Sequence, residues 1–335
     1  MMDSDTVEKA KAIKSEHKAL GVVCFGYFRY RNARFGCAEV HQAIQCYGRA
    51  GMTRARELAQ GMGLEMLHTM TDCAFFSRPG MTRADAAQLA RAVSKDVGVP
   101  MDVEGVYRWV VFLPSKIHSK SGRGTVGVPN RYYGKFHDGN LKVRGIEVQR
   151  HSTPEWIHDI QQRMLDVFQE ADDAQGFLMR IPRALGIAKA AADRLRGRDV
   201  DVDGLGIMLQ ATREVEDYVA STNTKAALRR LRDAGTQRKP GEYVKYVVAR
   251  QDGPWEGRTV PVELFGRQNW FGDGKATYHV GHYLRLLARS VETLLAPFGY
   301  TEDNVVAWFE GSAERPEAVV PERVDLPARP EWVAG

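Results

Sequence analysis

An α+β fold, an antiparallel sheet with flanking helices followed by a mostly helical second lobe, is predicted by three observations. Short apolar runs bounded by turn residues lie between positions 64 and 149, helical periodicity precedes and interrupts them, and from residue 153 the period settles near 3.6. The chain has 335 residues, of which 44% are hydrophobic and 27% charged, enough to build two lobes with cores of their own.

The elements follow in order. Val7, Ala10, Ile13, His17 and Leu20 recur at three- and four-residue steps among charges, which predicts an amphipathic helix over 6–20 ending in glycine. Residues 38–61 repeat the pattern until Gly61 and Gly63 break it. Leu64–Thr69 and Cys73–Ser77 flank Met70-Thr71-Asp72, a spacing that predicts a hairpin with one carboxylate at its turn. A helix over 82–97 and a strand over 103–113 come next, then a Gly/Ser-rich loop over 118–127. Strands over 131–136 and 141–149 flank His137-Asp138-Gly139-Asn140, whose Asp-Gly step is a hairpin signal. Ser152 or Thr153 is the expected cap of a helix beginning Pro154-Glu155, and helices dominate to about residue 235. A strand over 244–249, a long helix over 276–298 and a loose Pro/Glu/Arg-rich tail complete the chain.

Composition narrows the classes. A net charge of +5 is mild, so an acidic partner must be met by local clustering. Cys24, Cys37, Cys46 and Cys73 stand 13, 9 and 27 residues apart, which fits neither a paired CxxC zinc set nor a disulfide framework, and four reduced thiols are expected. The first residues are charged and lack an apolar signal core, and no apolar stretch approaches the roughly 20 residues of a membrane span, so a cytoplasmic protein with no membrane partner is expected.

The motifs point further. The segment Lys18-Ala-Leu-Gly-Val-Val-Cys-Phe-Gly26-Tyr27, followed by Arg34-Phe35, resembles the K-x-x-x-N-S-x-Y-G-Y motif of the archaeal-type family B DNA polymerases. Lys18, Gly26 and Tyr27 fall in place, whereas Val22-Val23 replace the Asn-Ser pair and Phe25 replaces a tyrosine. The resemblance implies that the lysine neutralises an incoming triphosphate, making these three the candidate nucleotide-binding residues; by itself, a lysine before an apolar run is a solvated helix charge. Tyr47-Gly48-Arg49 matches an aromatic-Gly-Arg step of the next helix. Gly63-x-x-Met-Leu-His-Thr-Met-Thr-Asp-Cys73 resembles the hairpin G-x-x-V-x-Y-x-D-T-D-S, whose carboxylates hold two Mg²⁺ ions in the family. Here Met70 replaces the first aspartate and only Asp72 remains as candidate catalytic residue and metal ligand. Mg²⁺, a hard ion that prefers oxygen ligands, is therefore expected to bind poorly.

Pro129-Asn-Arg131-Tyr132 resembles K-K-R-Y, and Arg144-Gly-Ile-Glu-Val-Gln-Arg150-His-Ser-Thr-Pro154 resembles K-G-x-E-x-V-R-R-D-x-x-P. The resemblance implies that Arg131, Tyr132, Arg144 and Arg150 contact the primer–template backbone; the alternative is a solvated sheet edge. Residues 221–250 carry eight Lys or Arg against two acids, a local +6, and Arg229, Arg230, Arg232 and Lys239 are further DNA-binding candidates unless they form the wet face of a helix. In the family's terms, 1–60 would be the end of the fingers and first palm helices, 61–152 a palm remnant with a palm-like sheet, 153–310 a thumb and 311–335 a flexible tail. The expected function is that of a C-terminal polymerase segment which binds primer–template DNA and is inactive as a lone chain. The other two readings are a split polymerase completed by a separately encoded N-terminal half, and a nonenzymatic DNA-binding scaffold.

Overall fold

The structure, a computed structural model, describes residues 4–115, 127–250, 254–265 and 278–319. It divides into two units, 1–106 and 107–335. In the N-terminal unit, helices α1 (Ser4–Arg29) and α2 (Ala38–Gly61) precede a two-stranded antiparallel sheet of β1 (Glu65–Met70) and β2 (Cys73–Ser77), and α3 (Arg83–Val97) closes the unit. Thr82 caps α3 in a reciprocal pair with Asp85, and Gly98, at φ 75°, ends it in the left-handed region. Ala55 and Ala59 on α2 pack against Leu64 and against Leu89 and Val93 on α3, with Leu58 and Phe76 at the margin. This core is small, and α1 adds little to it: Ile13, Leu20, Val22 and Val23 are all exposed.

In the C-terminal unit, β3 (Tyr107–Pro114), β4 (Gly127–Phe136) and β5 (Leu141–Arg144) form an antiparallel sheet in that order. Helices α4 (Glu155–Gln169) and α5 (Ala174–Arg196) follow. A second sheet, β6 (Ile207–Gln210), β7 (Tyr243–Val248) and β8 (Thr259–Pro261), is accompanied by α6 (Asn223–Asp233), α7 (Val280–Leu295) and α8 (Glu302–Glu310). Both sheets share one core with these helices: Trp109 and Tyr133 meet Phe168 and Phe177, and Val247 belongs to the same cluster as Tyr283 and Leu287. Buried aromatic polar groups are satisfied, since Tyr133 Oη donates to the Leu294 carbonyl at 2.7 Å, Trp109 Nε1 donates to the Ala171 carbonyl at 3.1 Å, and Tyr283 Oη accepts from Val248 N at 2.9 Å. Residues 61–152 thus contribute to both units.

Several sequence expectations are corrected. The first helix does not stop at Gly21 but runs through Gly21 and Gly26 to Arg29. Neither glycine leaves helical geometry, and an interior glycine costs only about 1 kcal/mol against alanine. The strand expected from 103 begins at Tyr107, because its partner β4 ends at Phe136, opposite Tyr107. The strand expected to reach 149 ends at Arg144, where Gly145 at φ 68° turns the chain into a 3₁₀ turn over Glu147–Gln149. Neither Ser152 nor Thr153 caps α4; Pro154 occupies that position without a side-chain bond, and its carbonyl accepts from Ile157 N and His158 N. The last long helix spans 280–295 rather than 276–298, giving way to a 3₁₀ turn at Ala296–Phe298, while Thr277 and the 118–126 loop lie outside the described residues. The four cysteines are free thiols.

One half-buried titratable group on α7 makes stability depend on pH. Burial, and then the charges of His279, Arg289 and Arg285, push the His282 pKa down to about 4, and Arg250 and Arg258 line a cavity together with His282. The folded imidazole therefore stays neutral while the unfolded one takes a proton near pH 6.5, so this contribution is complete above pH 6.5 and is lost as pH falls toward 4. Its full size is at most about 3 kcal/mol. Denaturant unfolding at pH 7 and pH 4.5 is expected to show a larger acid loss in the wild type than in His282→Gln; equal losses would remove His282 as the cause.

Candidate nucleic-acid interface

In the N-terminal unit, α1 carries Lys18, Gly26 and Tyr27 on one continuous helix. At about 100° per residue, Lys18, Val22 and Phe25 share a face while Tyr27 falls on the opposite side. The Phe25 ring does not stand free: it stacks on His41 of α2 at 4.1 Å, and His41 Nδ1 lies 3.1 Å from the Phe25 carbonyl. Lys18 is exposed, Gly26 has open space where a side chain would start, and Tyr27 is 38% exposed. The three nominated residues are thus on one element but not on one face.

The hairpin forms where the spacing predicted. Met70 pairs with Cys73, which leaves Thr71-Asp72 as a two-residue turn with Asp72 exposed at its tip. Met70 is buried, at 7% exposure, so a thioether faces inward beside the one remaining carboxylate. Among the described residues no group of three or more His, Cys, Asp or Glu side chains could hold a metal ion. Two Mg²⁺ ions need several converging carboxylate oxygens, so these residues do not fit the metal pair that the hairpin motif implies.

In the C-terminal unit the two basic strand motifs meet at one turn. Tyr132 pairs with Arg144, and Gly145 follows so closely under Asn130 that an added Cβ would stand 2.2 Å from the Asn130 carbonyl oxygen. Arg131 Nε and Arg150 Nη2 donate to the Gly145 carbonyl at 3.3 and 3.4 Å. Gln149 latches the turn, accepting from Gly145 N and donating to the Val143 carbonyl, both at 2.8 Å. Arg144 and Arg150 are exposed, and none of the three guanidiniums pairs with a carboxylate among the described residues. Tyr132 departs from expectation: it is 2% exposed, with its ring beside Phe112, and presents no stacking surface to solvent.

Beneath the turn lies a polar network that motif reading missed. Glu147 accepts from Gln161 Nε2 on α4 and from Thr293 Oγ1 on α7, each at 3.0 Å. The fully buried Gln161 also accepts from Val148 N at 2.7 Å and donates to the Ser290 carbonyl at 3.1 Å. The turn is therefore bolted to two helices. The sequence carried a signal for it, a glutamine interrupting the apolar stripe of Ile157, Ile160 and Met164 on α4.

The basic run on α6 is less available than its composition suggests. Arg230 is half-buried, with Nε donating to the Glu256 carbonyl at 3.0 Å, and burial together with the Arg250 charge lowers its pKa. Arg232 pairs with Glu216, and Arg229 lies 3.8 Å from Glu256. Arg238 pairs with Glu263 and Lys245 with Asp203, so four acids from outside 221–250 offset the local charge. Lys239 is exposed.

The family model described as DNA polymerase family B matches residues 1–298. The chain belongs to DNA polymerase family B. This family B chain is 24% identical over 289 residues to a DNA polymerase of Thermococcus kodakarensis, an alignment covering 84% of the chain and 16% of that protein. It is 24% identical over 312 residues to a DNA polymerase of Thermococcus gorgonarius, covering 90% and 37%. With DNA polymerase 2 of Aeropyrum pernix it shares 26% identity over 299 residues, covering 89% and 33%. The solved family B DNA polymerase of the hyperthermophilic archaeon Pyrobaculum calidifontis has a similar fold, with a TM-score of 0.55 at 21% identity, over 81% of this chain and 32% of that one. The chain thus spans little more than a third of these relatives at most. No helix among the described residues is long and apolar enough to cross a membrane.

Proposed function

We propose that this chain is the palm-and-thumb portion of a family B DNA polymerase, that it holds primer–template duplex, and that residues 1–335 alone do not polymerise. The observation that carries the binding half is the turn at Gly145, where Arg131, Arg144 and Arg150 gather with no carboxylate partner among the described residues. Such a cluster neutralises backbone phosphates whatever the base sequence, with counterion release as its driving force. The observation behind inactivity is Met70, a buried thioether beside the lone Asp72.

On this reading the α6 arginines do not form a uniform phosphate-binding surface. Replacing Arg229, Arg230 and Arg232 together would disturb packing at Arg230, so loss of binding in that triple variant would be ambiguous. The discriminating variant is Arg144→Gln with Arg150→Gln, both on exposed positions. It is expected to bind primed duplex more weakly at all sequences, with the slope of log K against log salt smaller by about two. An unchanged slope in a folded double variant would return these residues to a solvated edge.

A further inference from the structure

We propose, on the reading of the Gly145 turn as a phosphate-binding surface, that Thr293 of α7 and Gln161 of α4 are positioning residues for duplex binding. By holding the Glu147 carboxylate they keep it from pairing with Arg150, and so leave the arginine cluster its positive charge.

The sequence puts an acid where it would cancel part of the cluster. Glu147 stands three residues from Arg144 on one side and three from Arg150 on the other. It opens the 3₁₀ turn Glu147–Gln149, and Arg150, which follows, donates its amide to the Glu147 carbonyl at 2.9 Å. Side chains three apart in such a turn lie nearly one above the other, so Glu147 is the acid nearest to hand for an arginine at 150. A released carboxylate there would form a charge-assisted pair with a guanidinium and withdraw it from phosphate.

The fold sends the carboxylate elsewhere. Thr293 Oγ1 donates to Glu147 Oε1 and Gln161 Nε2 donates to Glu147 Oε2, each at 3.0 Å, and both donors are neutral and buried. Arg150 Nη2 donates instead to the Gly145 carbonyl at 3.4 Å. Among the described residues no Lys or Arg forms an ion pair with Glu147. Gln161 is itself fixed, accepting from Val148 N at 2.7 Å and donating to the Ser290 carbonyl at 3.1 Å, so it cannot turn from Glu147 without losing these bonds. A buried hydrogen-bonded pair adds little stability over apolar groups of the same shape. What distinguishes this network is the charge that it holds in place.

Duplex binding by the full chain over a salt series, in a double-mutant cycle of Thr293→Val and Glu147→Gln, tests the positioning role. Thr293→Val keeps the side-chain shape and removes one donor; the slope of log K against log salt is expected to shrink by about one, with affinity at low salt several-fold lower. Glu147→Gln removes the charge and should bind at least as tightly as wild type. The combined variant should recover the wild-type slope, because no carboxylate is left to occupy Arg150, and Thr293→Ser, which keeps the hydroxyl, should match wild type. If Thr293→Val does not fold by circular dichroism, Gln161→Met takes its place in the same cycle. A wild-type slope in the folded donor variant overturns the proposal, and so does a reduced slope that Glu147→Gln fails to restore. A reduced slope in Arg144→Gln with Arg150→Gln, beside an unchanged one in Thr293→Val, removes the positioning role alone. Unchanged slopes in both remove the phosphate-binding turn as well.

Discussion

Primer extension by the 335-residue chain is expected to give no product above background with Mg²⁺ or Mn²⁺. In-line phosphoryl transfer relies on metal ions to position and activate the 3′-hydroxyl and to spread charge from the triphosphate, and the protein's part is to hold them. Here the turn offers Asp72 alone, with the Met70 side chain turned inward beside it. A Mg²⁺ ion given so few ligands keeps its own water shell, and the rate should fall more than about 10³-fold below that of an intact site. Met70→Asp alone should not restore synthesis, because two carboxylates on one turn still leave a pair of Mg²⁺ ions short of ligands, and among the described residues no group of three or more His, Cys, Asp or Glu side chains converges. It should also destabilise the hairpin by roughly 2–4 kcal/mol, since a carboxylate would replace a buried thioether. If a separately encoded N-terminal half is available, mixing it with wild type and with Met70→Asp separates the readings. Extension from the Met70→Asp mixture only fits a lost metal site. Robust extension from the wild-type mixture would establish a split polymerase that tolerates the methionine.

Gly145→Ala is expected to lower stability by about 3–5 kcal/mol and to weaken duplex binding as well. The residue sits at φ 68°, a region that disfavours any side chain, and its Cβ would come within 2.2 Å of the Asn130 carbonyl oxygen and 3.0 Å of Arg131 Cγ. Backbone cannot yield as a side-chain tip can, so strain and displacement add. Because Arg131 and Arg150 both donate to the Gly145 carbonyl, moving that carbonyl releases both guanidiniums. Chemical denaturation measures the first effect and duplex titration of the remaining folded protein the second. A change below 1 kcal/mol would mean that Asn130 and Gly145 are not in close approach.

Where the fold was legible, local chemistry was sufficient. Alanine and leucine at helical spacing marked α3, and the spacing around Met70 marked the hairpin. The errors have physical sources. Glycine reads as a stop at Gly21, yet there the backbone stays helical, whereas at Gly98 it turns left-handed and ends α3. The resemblance to K-K-R-Y nominates Tyr132 as a contact residue, and a motif match cannot reveal burial: its side chain is as buried as that of Tyr133. The burial of Arg230 was legible, for it stands three and four residues from Ala227 and Ala226 on the inner face of α6, while its net charge drew attention outward. Ion pairs such as Arg232 with Glu216 join positions 16 residues apart and leave no mark in a charge count over a window. The family resemblance, by contrast, was carried by the order of weak motifs, none of which would have sufficed alone.

Binding of primed duplex to the purified chain, followed by fluorescence anisotropy over a salt series, decides whether the chain holds duplex through backbone phosphates. Measurable affinity at low salt is expected to fall steeply and linearly on a log–log plot, with a slope set by the phosphates that the turn neutralises. Binding that does not change with salt, or no binding even at low salt, would contradict it.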